Sequence, residues 1–214
     1  MTATTFPTDD GVTLEGELRE PEGAPRGTAV ICHPHPAHGG SKDHPLLWAI
    51  RNELAQRGWV VISFNFRGVM GSGGEHTAGE KETQDVNAAI DHVREKADGP
   101  TVLVGWSFGA NVAIRHAMTD SRVAAVALVG LPIGFDHIPL VELPDDQALR
   151  AFDTPVLLVA GDDDSICPVP GVLELSGRIP NADVRVFEGA GHFFRRRERE
   201  PAEAIAGFFD EILQ

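Results

Sequence analysis

Seven short apolar runs punctuate the chain, at residues 13–18, 28–32, 59–65, 101–106, 123–129, 155–160 and 183–187. Several are near-continuous rather than alternating, as in Val102-Leu103-Val104 and Val156-Leu157-Leu158-Val159, which is the pattern of strands covered on both faces. Between them, apolar positions recur every three or four residues and predict helices over 44–57, 79–96, 108–118, 169–178 and 201–213. Strand and helix in alternation imply an α/β architecture, a mostly parallel twisted sheet with helices on both faces and room for an antiparallel strand at the N-terminal edge. No repeat, linker or low-complexity stretch interrupts the pattern, and 214 residues is an ordinary size for one domain, so a single domain over 1–214 is expected. Chemistry in such a sheet gathers beyond the carboxyl ends of the strands.

The end of the fourth run and the residues after it read Gly105-Trp106-Ser107-Phe108-Gly109 and lead into the helical stretch Ala110-Asn111-Val112-Ala113-Ile114. A strand, a sharp turn and a helix with serine at the apex present a hydroxyl clear of its neighbours, and the flanking glycines permit the strained turn. In a chain with 23 glycines the five-residue pattern arises by chance about 0.08 times, so its strand-to-helix setting carries more weight than its letters. Ser107 is the candidate nucleophile.

Two partners follow in chain order. After the run 155–160 comes Gly161-Asp162-Asp163-Asp164-Ser165-Ile166-Cys167-Pro168, in which Asp164 is the candidate acid and Asp162 the fallback; adjacent aspartates otherwise bond local N–H groups in turns. After the run 183–187 comes Gly189-Ala190-Gly191-His192, and His192 alone among the nine histidines lies beyond both Ser107 and Asp164, where a general base is required. Donors for a developing oxyanion are expected from the N–H of Phe108 and from the loop His33-Pro34-His35-Pro36, where His35 supplies the N–H that its two prolines lack.

These residues together resemble a small, lidless alpha/beta hydrolase of the dienelactone-hydrolase-like group. The resemblance spans nearly the whole chain: the His-Pro-His-Pro loop with Gly39-Gly40, Phe64-Asn65-Phe66-Arg67-Gly68-Val69, the serine turn, the Gly-x-x-Asp segment and Gly191-His192-Phe193. It implies an alpha/beta-hydrolase fold and serine ester chemistry through an acyl-enzyme, without a cofactor or metal, but fixes no substrate; small carboxylic esters are expected instead from the minimal cap over residues 130–154. It also implies a mainly structural Arg67-Gly68 loop. Where members of the group can carry a cysteine nucleophile, this chain has Ser107. Thioesters and small amides remain open on the same triad.

Composition narrows the partners. The formal net charge of −14 disfavours nucleic acid and anionic membrane surfaces, leaving a small-molecule acyl substrate; the oligomeric state is left open. The one basic run, Arg195-Arg196-Arg197-Glu198-Arg199, reads as a solvated segment, with the sharper expectation that an arginine just past His192 reaches the active-site mouth. Residues 1–7 lack the basic-then-apolar order of a secretory signal, so a cytoplasmic location is expected. Cys32 and Cys167 show no metal or disulfide spacing and are expected as free thiols, Cys167 near enough to the acid loop for a bulky thiol reagent to inhibit.

Residues 130–154, about 25 positions with three prolines, replace the lid of larger hydrolases, predicting a shallow acyl pocket lined by Trp106, Leu131, Ile133 and Phe135. Two other classes compete. His33-x-His35-x-x-His38 has the histidine spacing of a metallohydrolase site, although Ala37 stands where that motif has aspartate. A catalytically silent hydrolase fold serving as a binding scaffold is the other.

Overall fold

The computed structural model describes residues 1–134 and 140–213. Eight strands form one sheet: β1 (Thr2–Pro7), β2 (Thr13–Arg19), β3 (Gly27–Cys32), β4 (Trp59–Phe64), β5 (Thr101–Trp106), β6 (Val123–Val129), β7 (Val156–Gly161) and β8 (Ala182–Phe187). Their spatial order is β1-β2-β4-β3-β5-β6-β7-β8. β1 and β2, and β2 and β4, pair antiparallel, and every later pair is parallel. The apolar runs therefore become strands within a residue or two of their expected ends.

Helices α1 (Pro45–Gln56), α2 (Glu82–Arg94), α3 (Phe108–Ala117), α5 (Val169–Ser176) and α6 (Arg199–Ile212) fall where periodicity places them, joined by a short α4 (Asp146–Arg150). Strand side chains alternate between two cores. Val30, Ile62, Leu103, Val126 and Leu158 pack toward α2, α3 and α5, while Ile31, Val61, Val102, Val104 and Ala127 pack toward α1 and α6. With both faces covered, β3 to β7 are almost wholly buried and must be apolar at successive positions, which is why their runs are continuous.

Periodicity gave no sign of β1 and α4. β1 reads Thr-Ala-Thr-Thr-Phe-Pro and buries only Phe6, pairing across the edge with Leu14; a half-exposed edge strand of threonines carries little apolar signal. α4 is a five-residue turn of helix whose Asp145 cap accepts the Ala148 N–H at 2.9 Å.

Beyond β4, the loop with Arg67 is tied down by charge. Arg67 and Asp85 are buried, and the guanidinium donates to Asp85 Oδ1 at 2.9 and 2.7 Å while the Arg67 N–H reaches Oδ2 at 2.9 Å. A second carboxylate, Asp10, takes the remaining guanidinium edge at 2.8 Å. Removing Asp85 would leave the buried guanidinium with Asp10 alone and the Arg67 N–H without its acceptor. Asp85→Ala should therefore lower the unfolding free energy in urea by about 3 kcal/mol. A loss below about 1 kcal/mol, the level of an exposed ion pair, would show that the loop holds without it.

Candidate active site

Ser107 sits at the turn between β5 and α3 with φ 55° and ψ −118°, a conformation that costs a non-glycine residue about 1–3 kcal/mol and persists only where surroundings enforce it. The surroundings are specific. The Ser107 N–H donates to Val129 O at 2.8 Å. A side chain at Gly105 would come within 2.3 Å of Gly109 O, and one at Gly109 within 2.4 Å of Cys32 O, so the end of β5, the start of α3 and the end of β3 touch backbone to backbone. The two glycines are what permit that contact.

His192 follows β8, and its Nδ1 lies 2.8 Å from Asp164 Oδ2. The other Asp164 oxygen accepts the Ile166 N–H at 2.8 Å and the Cys167 N–H at 3.0 Å. Burial would raise the Asp164 carboxyl, but the His192 bond and these N–H groups offset it and hold the acid below its usual range. Asp162 and Asp163 have other tasks: Asp162 Oδ1 accepts the Gly189 N–H at 2.6 Å, and the Asp163 N–H donates to Ala190 O at 3.0 Å. They stitch the acid loop to the histidine loop. No hydrogen bond closes between Ser107 and His192 among the described residues; such contacts tighten when substrate binds.

Ser107, His192, His35, Phe108 and Trp106 border one cavity of about 170 Å³. Trp106 also donates its indole N–H to His192 O at 3.2 Å. Neither the His35 nor the Phe108 backbone N–H has a backbone acceptor among the described residues, and the Phe108 amide opens α3, where intrahelical acceptors are lacking. The other pocket expectations fare differently. Leu131 is 1% exposed and packs in the core with α2 and α3, Ile133 lies against Gly171 at the start of α5, and Phe135 is outside the described residues. The cavity wall comes instead from His44, Pro132, Leu140, Ile166 and Phe193. His44, the cap of α1, packs on Trp106 with ring centroids 4.3 Å apart and planes tilted by 54°. A larger groove of about 650 Å³ between α1 and α6 contains none of Ser107, Asp164 or His192.

The histidine triplet does not suit a metal. His33 Nδ1 lies 2.6 Å from Pro34 O, and its Nε2 accepts the Phe66 N–H at 3.0 Å, so both ring nitrogens are occupied. Burial lowers its pKa to about 4. Among the described residues no cluster of histidine, cysteine or acidic side chains is arranged to hold an ion. Cys32 and Cys167 are free thiols as expected, but both are buried. Burial, with Asp164 nearby, pushes Cys167 up to about 12, so it lacks the accessible thiolate a reagent would need. In the basic run Arg197 turns to Glu200 at 2.7 and 2.6 Å, while Arg195 lies over the Phe193 ring at 5.5 Å.

Gly130 is the site residue the sequence did not flag. It follows β6 at φ 54°, and a side chain there would lie 3.0 Å from His192 Cε1 and 3.1 Å from Nδ1. Gly130→Ala should leave the fold intact, adding about 1–2 kcal/mol of backbone strain. Displacement of the imidazole should cut fluorophosphonate labelling of Ser107 by about tenfold or more; unchanged labelling would mean that the ring does not rest on this glycine.

Over residues 27–210 the chain matches the family model of the alpha/beta hydrolase domain. An alpha-beta serine hydrolase homologue from Coxiella burnetii is similar with a TM-score of 0.85 at 28% identity, over 97% of this chain and 96% of that one. An alpha/beta serine hydrolase without a lid from Xanthomonas campestris gives a TM-score of 0.81 at 26% identity, over 99% and 94%. An uncharacterized protein of Rickettsia prowazekii is 28% identical over 207 residues, 93% of this chain and 85% of its own length. The matched span runs from β3 to α6 and takes in the serine turn, the acid and histidine loops and the loop after β3: this chain belongs to the alpha/beta hydrolase family.

Proposed function

We propose that this hydrolase is a serine esterase acting on small carboxylic esters through an acyl-enzyme. One observation carries the reading: a serine held at φ 55° borders the same cavity as a histidine whose far nitrogen is bonded to a buried aspartate. A serine hydrolase homologue from Coxiella burnetii and a lidless serine hydrolase from Xanthomonas campestris, similar over almost their whole length, support it.

In the reaction, His192 Nε2 takes the Ser107 proton as Oγ attacks the ester carbonyl, and Asp164 accepts the Nδ1–H and stabilises the imidazolium. The carbonyl oxygen, now an anion, is received by the His35 and Phe108 N–H groups. Collapse of the tetrahedral intermediate breaks the C–O bond, and His192 returns the proton to the departing alcohol. Water, deprotonated by His192, then attacks the acyl carbonyl, a second tetrahedral intermediate collapses, and the acid leaves with Ser107 reprotonated.

The acyl side is bounded by Pro132, Leu140 and Ile166 and the aromatic wall of His44, Trp106 and Phe193. At about 170 Å³ this space suits short acyl groups. Oxygen esters are favoured because an alkoxide or phenolate departs more readily than an amine; thioesters are the neighbouring substrate class. Two buried free thiols fit a reducing cytoplasm. Among the described residues no helix is long and apolar enough to cross a membrane.

On p-nitrophenyl esters, turnover should be highest for acetate to butyrate, fall for long chains, disappear in Ser107→Ala and withstand a chelator. Activity surviving Ser107→Ala would overturn the reading. Asp164→Asn should keep the fold but lower kcat roughly 10³–10⁴-fold, because the imidazole loses its oriented tautomer; a drop of less than about tenfold would remove Asp164 from the mechanism.

A further inference from the structure

Behind the loop that carries His35 lies a buried carboxylate that the acyl transfer above leaves unused. Glu82 opens α2 and is fully buried. One of its oxygens accepts the Thr77 N–H at 2.7 Å; the other accepts the Thr77 hydroxyl at 2.7 Å and the Gly79 N–H at 2.8 Å. Burial would raise this carboxyl, but the bonds from Thr77, with His76 beside it, hold it below its usual range and ionised at neutral pH. His76 Nδ1 lies 2.8 Å from Glu82 Oε1, off the line of a well-formed hydrogen bond. The His76 ring packs edge-on against His35, with centroids 4.9 Å apart, and against Phe108 at 5.1 Å.

The tautomers follow from the neighbours. His35 Nδ1 accepts the Ala37 N–H at 3.1 Å, and burial, with His76 nearby, keeps its pKa at about 4, so the ring is neutral and its proton is on Nε2. A His76 proton carried on Nδ1, the nitrogen facing the Glu82 carboxylate, would leave Nε2 to accept. Both Nε2 atoms are buried without a partner among the described residues. The two rings touch, so a small ring rotation or one bridging water would bring these atoms into a hydrogen bond. The His35 carbonyl is already held by the His38 and Gly40 N–H groups at 3.1 Å each, which leaves the ring as the remaining handle on this residue.

We propose that Glu82 and His76 are a positioning pair for the oxyanion donors: Glu82 orients His76, and His76 Nε2 takes the His35 Nε2–H while its ring packs against Phe108, fixing the direction of both backbone N–H groups. The pair touches no reacting atom. The proposal rests on the esterase reading of this site.

The test measures kcat and KM on p-nitrophenyl acetate for wild type, Ser107→Ala, His76→Phe and His76→Gln, with thermal melts and inhibition by phenylboronic acid, whose serine adduct carries an oxyanion. His76→Phe keeps the ring packing and removes both nitrogens. It should melt near wild type yet lose about tenfold in kcat, less than the loss of a whole donor. KM should stay within about twofold, since only the transition state gains from the aligned donors. The phenylboronate Ki should rise in step with the loss of kcat, and His76→Gln, which returns a polar atom near the Nε2 position, should recover much of both. Wild-type kcat in His76→Phe, or a loss that follows melting temperature and is not recovered by glutamine, would overturn the proposal while leaving the esterase intact. Wild type without turnover, or Ser107→Ala as active as wild type, would remove the esterase reading and this proposal with it.

Discussion

The backbone contact between the end of β3 and the start of α3 is the constraint on which the site depends. Gly109 meets Cys32 O, Gly105 meets Gly109 O, and between them Ser107 is held in a left-handed turn that an isolated peptide would abandon. The contact requires β3 and β5 to be parallel neighbours in the centre of the sheet, as they are, with Cys32 beside Gly105. The same adjacency brings the His33–Gly40 loop alongside the serine, so His35 and Phe108 border one cavity without a further element to carry them. The burial of β3 and β5 supplies the rigidity that keeps the strain in place.

Around that apex, charge is allowed inside only where it is bonded. Asp164, Glu82 and Asp85 are each buried, and each accepts several N–H or side-chain donors. The histidines are treated differently. Burial depresses His33 and His35, and His44 likewise, so they serve as neutral rings that pack and accept backbone N–H groups. Of the histidines bordering the cavity, His192 is the one bonded to a carboxylate. A chain with net charge −14 thus keeps the surroundings of its serine nearly free of unpaired charge, which suits a reaction whose own charge develops only in passing.

How much of this could be read from residues alone follows from how local each signal is. Buried parallel strands are apolar at successive positions, so β3 to β7 were legible, as were the serine turn and the order of acid and histidine after it. β1 was not, because its threonines satisfy an exposed edge and only Phe6 reaches the core. The cavity wall was half legible. Trp106 sits where its place beside Ser107 suggests, but Leu131 turns into the core, and His44 and Phe193 approach from α1 and the histidine loop, a convergence no spacing records. Gly130 could have been suspected as a glycine ending a strand, yet its purpose, leaving room for the His192 ring, exists only in three dimensions. Asp162 is a further case, since the turn chemistry of consecutive aspartates implies a bond to a neighbouring N–H, whereas its carboxylate reaches across to the Gly189 N–H in the histidine loop.

That bond, with the one from Asp163 to Ala190, fastens the loops after β7 and β8 to each other before either meets a substrate. Gly161 packs so closely on Ala190 that no side chain fits between them. The acid and the histidine therefore behave as one preassembled body, and the entropy of bringing them into register is surrendered once, when the chain folds, rather than at every turnover.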